Sequence, residues 1–322
     1  MKGLTDIAGI RVGHATDFEA LTGVSVILTE AGAVAGADIR GGAAGTEEFE
    51  ALNPLHVTGA VHAVVLAGGS AFGLEAASGV RQYLEGRGVG FPTSAARVPI
   101  VPAAIIYDLG IGKADIRPSR EMGLAAAHAA DAGPVAEGAV GAGAGATVGK
   151  IFGMQRAMKS GLGSFTVALG GRYQGVMVSA LAVVNAFGDV LDPATGKILA
   201  GARKGPHGME FAGTAEAMKR GGPLRQPFQE NTTLAVVATN ARLTKVQAVK
   251  VAQLAQHGMV RTICPVHTMF DGDLVIALSL GAAQADVNAV GLAAAEALEG
   301  AILRAVRLAP SVGGAPGLAG PR

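Results

Sequence analysis

A chain of 322 residues can bury a sizeable core as one large domain or two ordinary ones, and a net charge of +1 with no basic run gives no footing for a nucleic-acid or polyanion partner. Hydrophobic residues make up 50% of the chain, but the excess is Ala and Val beside 49 glycines; no 18-residue stretch is free of glycine breaks or charges, which excludes a transmembrane span. Cys264, the single cysteine, rules out an internal disulfide; with a Met1–Asp6 start that lacks the apolar core of a signal peptide, it points to a reducing cytoplasm.

In chain order, Gly23–Thr29 and Ala33–Ile39 read as two strands around a Glu30-Ala31-Gly32 turn, followed by a backbone-exposing loop at Arg40–Thr46. Val61–Leu66 is a short apolar strand that runs through Ala67-Gly68-Gly69-Ser70 into a helix with Leu74, Ala77, Val80 and Leu84 on one face. Ala103–Leu109 is another strand, and Pro118 opens a helix ending near Gly133. Gly138–Lys150 is a loop or a close-approach site, and Ser164–Leu169 and Val176–Ala186 are strands. Thr195–Glu230, the least periodic and most polar part, reads as an exposed linker. A strand from Thr232 follows, then a Thr244/Gln247 capping box for a helix closed by Gly258, a strand at Leu274–Leu280, and a long helix from Asp286 to about Leu308. The Gly/Pro/Ser tail 310–322 reads as disordered. Strands and helices mix without a βαβ repeat, which favours a single α+β layered domain over 1–309.

Several motifs fail on inspection. Gly149-Lys150 lacks the leading glycine and the Ser/Thr of a phosphate loop, and the glycine run at 141–145 is worth little in so glycine-rich a chain. Gly68-Gly69-Ser70-Ala71-Phe72 has Phe72 where a nucleophile elbow needs its last glycine. The seven histidines show no metal-ligand spacing, so neither a metal nor a cofactor is expected.

Three features remain. Asn231-Thr232 sits where a polar connector meets a buried strand; a cut there would give Thr232 a hydroxyl and an α-amine, a nucleophile with its own base. Asp271-Gly272-Asp273 puts two carboxylates at i and i+2, on one face if extended. Asn185 and Lys150 are polar residues in apolar or glycine-rich surroundings. Taken singly, each also has an ordinary reading: a strand start, an Asp-Gly hairpin turn, a satisfied strand Asn, a solvated Lys.

Together with Gly3-Leu4-Thr5-Asp6-Ile7, Val12-Gly13-His14, Arg40-Gly41-Gly42, the Leu66–Leu74 segment, Ile105-Ile106-Tyr107-Asp108 and the Gly141–Lys150 segment, these residues run in family order over nearly the whole chain. The chain resembles the DmpA-like family of L-aminopeptidase/D-amino-acid esterase-amidases, which includes β-aminopeptidases and nylon-oligomer hydrolases. The resemblance implies an αββα-layered fold of the N-terminal-nucleophile type and self-cleavage between Asn231 and Thr232, giving an α chain 1–231 and a β chain 232–322. It further implies Thr232 as nucleophile, Asn185, Lys150, Asp271 and Asp273 as catalytic-site residues, and Tyr107 lining the substrate pocket. The aminopeptidase branch tends to carry Ser and Glu where this chain has Thr and Asp. The implied substrate is a small peptide or an amino-acid amide or ester, with 6-aminohexanoate oligomers as the alternative. The implied assembly is a homo-oligomer (a tetramer or larger) of α/β units without membrane or nucleic acid. From a different class, the glycine loops would also suit a non-catalytic metabolite-binding protein.

Overall fold

The computed structural model describes residues 1–222 and 231–321. Its main strands are β1 (Arg11–Asp17), β2 (Thr22–Ile39), β3 (Thr46–Glu47), β4 (Val61–Ala67), β5 (Ala103–Ile105), β6 (Leu162–Ala168), β7 (Met177–Asn185), β8 (Thr232–Ala241) and β9 (Leu274–Ala283). Its helices are α1 (Ala76–Glu85), α2 (Arg120–His128), α3 (Thr214–Lys219), α4 (Lys245–Thr262) and α5 (Val287–Arg307). The strands form one sheet in the order β6-β7-β8-β9-β2-β4-β5-β3, with β1 also on β2.

This sheet makes two layers because β2 is long. Its first part pairs with β1 and β4, and its last part, Val34–Ile39, pairs with β9. Between the two layers lies one apolar cluster: Ile27, Val64 and Leu66 from one side, and Val183, Leu234, Val236, Leu274 and Ile276 from the other. Because side chains alternate along a strand, the other faces carry a second set. Val24, Val26 and Val65 pack under α1 and α2, and Ala182, Ala235, Val237 and Val275 pack under α4 and α5. Helices therefore cover both outer faces of a two-layered sheet. Among the described residues no helix is long and apolar enough to cross a membrane.

Several sequence expectations shift. The two strands expected around Glu30-Ala31-Gly32 are the single strand β2: Gly32 (φ +89°) serves a register shift against β4 and the chain does not reverse. The helix expected from Ser70 opens with a 3-10 segment, Ser70–Glu75, before α1. The strand expected to reach Leu109 stops at Ile105, because the Asp108 carboxylate turns to Gly69 N (2.7 Å) and Thr22 Oγ1 (2.8 Å). α2 opens at Arg120 behind a Ser119 cap, two residues after the expected Pro118 start, and ends at His128, short of Gly133. The Thr244/Gln247 capping box and the Asp286 cap stand as expected. Gly258 does not end its helix. It lies inside α4, where a Cβ would sit 2.4 Å from Ala295 O, so the glycine lets α4 and α5 approach closely.

The expected linker is structured over much of its length. Ile198–Ala200 joins a small sheet, and the buried Asp189 carboxylate receives Ala202 N (2.8 Å), Thr214 N (2.6 Å) and Thr214 Oγ1 (2.6 Å). Polarity here reflects hydrogen bonding to a buried anion as much as exposure. Its remainder, 223–230, lies outside the described residues. Nor is the tail, through residue 321, an unattached chain. Lys159 N donates to Pro316 O (2.8 Å), Ser311 N donates to Gly320 O (2.7 Å), and Ala315 is buried beside Leu21 and Ile111.

Candidate active site

The β7–β8 register puts Asn185 directly opposite Thr232. On β8, Leu234 and Val236 face the inter-sheet core, so alternation puts Thr232 on that face too, at the end of the strand. By the same alternation Thr233 faces the α4/α5 side with Ala235 and Val237. Thr232 and Asn185 are buried, at 3% and 0% exposure.

Lys150 arrives from the glycine loop. Its N–H donates to Phe187 O (3.1 Å), and Gly149 N–H donates to Gly188 O (3.0 Å), which pins the loop beside the end of β7. The Lys150 ammonium is buried and donates to Asn185 O (2.9 Å) and Oδ1 (2.7 Å). Burial pushes its pKa down from 10.5 to about 7, against the opposing pull of the Asp271, Asp108 and Asp273 charges. Asn185 Oδ1 also accepts Thr147 N (3.0 Å), while Nδ2 donates to Tyr107 O (2.9 Å). These donors fix which way the amide faces: Oδ1 is taken, and Nδ2 keeps one N–H to offer. Tyr107 thus enters through its backbone carbonyl; its ring is only half-buried.

The two aspartates are engaged by backbone and hydroxyl donors. Among the described residues neither is within ion-pair distance of the Lys150 ammonium. Asp271 accepts Phe187 N (3.0 Å) and Thr268 Oγ1 (2.6 Å); Asp273 accepts Thr233 N (2.7 Å) and His267 N (2.9 Å). Both are 1% exposed. Burial first, and then the Asp273 charge, raise the Asp271 pKa from 3.8 to about 6. Asp273 fixes the backbone at Thr233, next to Thr232, and Asp271 ties the chain just beyond β7, at Phe187, to the Thr268 turn. Arg40-Gly41-Gly42, a motif with no role in the sequence reading, backs this segment: Arg40 N donates to Asp273 O (2.9 Å), and a Cβ on Gly41 would lie 2.2 Å from Asp271 O.

Asn231 runs parallel to this segment, bridged to Asp271. Its N–H donates to Phe270 O (3.0 Å) and its carbonyl accepts Gly272 N (2.7 Å). The same carbonyl lies 2.5 Å from Thr232 Oγ1. Thr147, Thr268, His267 and Gly272 had no role in the sequence reading. They act here through backbone atoms or as supports, which residue type does not signal. Ser70, weighed as an elbow nucleophile, donates its N–H to Ile106 O (3.0 Å).

The model of peptidase family S58 matches residues 2–319. The chain belongs to this peptidase family. Among its S58 relatives is an uncharacterized aminopeptidase of Mycobacterium leprae, 40% identical over 353 aligned residues, 98% of this chain and 93% of that protein. A 6-aminohexanoate-oligomer endohydrolase of Kocuria sp. is 32% identical, covering 94% of this chain and 85% of that one. Among solved structures, the L-aminopeptidase D-Ala-esterase/amidase of Ochrobactrum anthropi superposes with a TM-score of 0.73 at 20% identity, covering 98% and 88% of the two chains. A β-aminopeptidase of Burkholderia sp. superposes with a TM-score of 0.68 at 22% identity, covering 97% and 88%. The S58 chain therefore has the layered fold that the resemblance implied, in the N-terminal-nucleophile hydrolase variant of that aminopeptidase.

Proposed function

We propose that this S58 peptidase cleaves its own chain between Asn231 and Thr232 and then hydrolyses amide bonds with Thr232 as an N-terminal nucleophile. The observation that carries this reading is the Thr232 hydroxyl 2.5 Å from the Asn231 carbonyl oxygen, which also accepts the Gly272 amide at 2.7 Å. In the precursor Oγ attacks the Asn231 carbonyl carbon, the C–N bond breaks, and the Oγ proton ends on the Thr232 nitrogen. Water then cleaves the ester, leaving an Asn231 carboxylate and a free hydroxyl. The freed α-amine has a reference pKa of roughly 7.7–8.0, so part of it is neutral near pH 7 and can take the hydroxyl proton when Oγ attacks a substrate amide. Lys150, with its pKa near 7, is a second proton acceptor on the inner side, and Asn185 Nδ2 offers an N–H to the developing oxyanion.

The relatives named as aminopeptidases support small peptides and amino-acid amides or esters as substrates. The endohydrolase relative supports a second reading, 6-aminohexanoate oligomers. Assays of amino-acid p-nitroanilides beside those oligomers separate the two. Intact mass of the purified protein tests the central claim: wild type yields a fragment starting at Thr232, and Thr232→Ala stays one chain. An active, uncleaved wild type would refute it.

A further inference from the structure

The self-cleavage ester and the acyl-enzyme of turnover are the same chemical object, an acyl group on Thr232 Oγ. In the first the acyl group is the residue 231 chain, and in the second it is the substrate's. Whatever holds the Asn231 carbonyl oxygen therefore stands where a substrate's carbonyl oxygen must develop charge. That partner is a backbone amide, Gly272 N at 2.7 Å. Gly272 also faces the hydroxyl directly: a Cβ at 272 would lie 2.7 Å from Thr232 Oγ1, 2.8 Å from Ala43 O and 2.9 Å from Ala44 Cα. The absence of a side chain lets one residue present its N–H to the carbonyl and leave room for the nucleophile. The segment is fixed from both sides, by Ala43 N to Asp271 O (2.9 Å) and Arg40 N to Asp273 O (2.9 Å), so the amide is aimed before reaction begins.

Resting on the self-cleavage reading, we propose that the Gly272 amide is the main-chain oxyanion donor for both reactions of Thr232. First it polarises the Asn231 carbonyl; once residue 231 has left, it receives the substrate oxygen. Asn185 Nδ2 lies across the strand pair as the second donor. No new bond chemistry is required. Oγ–C forms, C–N breaks with the proton delivered to the departing nitrogen, and water restores the hydroxyl.

Two full-chain variants test this. Replacing the Gly272 residue by glycolic acid turns its amide into an ester and deletes the N–H without adding an atom; Gly272→Ala keeps the N–H and adds the Cβ. The ester variant is expected to self-cleave about 10²–10³-fold more slowly, the usual loss for one such donor, and its matured fraction to show a similar fall in kcat on an amino-acid p-nitroanilide with KM within about threefold. Gly272→Ala is expected to remain largely one chain with a native circular-dichroism spectrum. Wild-type cleavage by the ester variant overturns the donor role, and slow cleavage with wild-type kcat after maturation overturns its second use. If the ester variant does not fold, normal cleavage by Gly272→Ala still overturns the placement of Oγ against residue 272. A wild type that never yields the Thr232 fragment sinks the self-cleavage reading itself, a result distinct from all of these.

Discussion

Asp271 and Asp273 look equivalent in the sequence, yet the structure makes them respond differently to the same change, carboxylate to amide. Asp273 receives backbone N–H groups on both oxygens, Thr233 N at 2.7 Å and His267 N at 2.9 Å. In Asp273→Asn one of those N–H groups must face an NH₂, and neither backbone donor can turn away. A buried donor left unsatisfied costs about 1–3 kcal/mol, and more where the lost acceptor was charged. Asp271 receives one backbone N–H, Phe187, and one hydroxyl, Thr268 Oγ1. In Asp271→Asn the oxygen keeps Phe187 N, and the hydroxyl rotates to accept the NH₂, so the cost is expected to stay under about 1 kcal/mol. Denaturant unfolding measures both differences, with the Thr232→Ala background keeping the chain in one piece. Because Asp273 fixes Thr233 N, and so the residue next to the nucleophile, Asp273→Asn is also expected to slow self-cleavage well beyond Asp271→Asn. Equal costs, or the reverse order, would show that these carboxylates do not hold the backbone as drawn.

The raised Asp271 pKa implies stability that is fully present below about pH 4 and lost as pH rises toward 6, where the folded state gives up the proton it holds more tightly; Asp271→Asn should flatten that window in pH-dependent unfolding. Lys150 is shifted the other way. Between pH 7 and 10.5 the unfolded state binds more protons there, so stability should rise with pH through this range, and Lys150→Met should abolish the rise. The same lysine is mostly neutral above about pH 7, so self-cleavage followed by intact mass should accelerate as pH rises through 7, and Lys150→Met should lower turnover by about 10²–10⁴-fold with the fold intact. Away from the site, Gly258→Leu puts a Cβ 2.4 Å from Ala295 O and should cost about 1–3 kcal/mol in unfolding measurements while self-cleavage proceeds at the wild-type rate.

What the sequence determined by itself is what short-range chemistry encodes. The Thr244/Gln247 box and the Asp286 cap are readable because a side chain bonds an amide two or three residues away, and the strands at 61–66, 176–186 and 274–280 because apolar runs need burial. Asn231-Thr232, Asn185, Lys150 and the Asp-Gly-Asp segment could be picked out as polar residues in unusual company, and family motifs ordered them. Their arrangement was decided only by the tertiary structure. Glycine carries the same letter whether it turns the chain, bulges it at Gly32, ends a helix, or lets two helices touch at Gly258, and only the packed partner tells these apart. Likewise, two carboxylates separated by one residue do not reveal whether they meet a lysine or a row of backbone N–H groups. The fold chose the latter, because residues distant in the chain, Phe187 and Thr233, bring their amides to Asp271 and Asp273, and a buried carboxylate is held most strongly where such donors reach it.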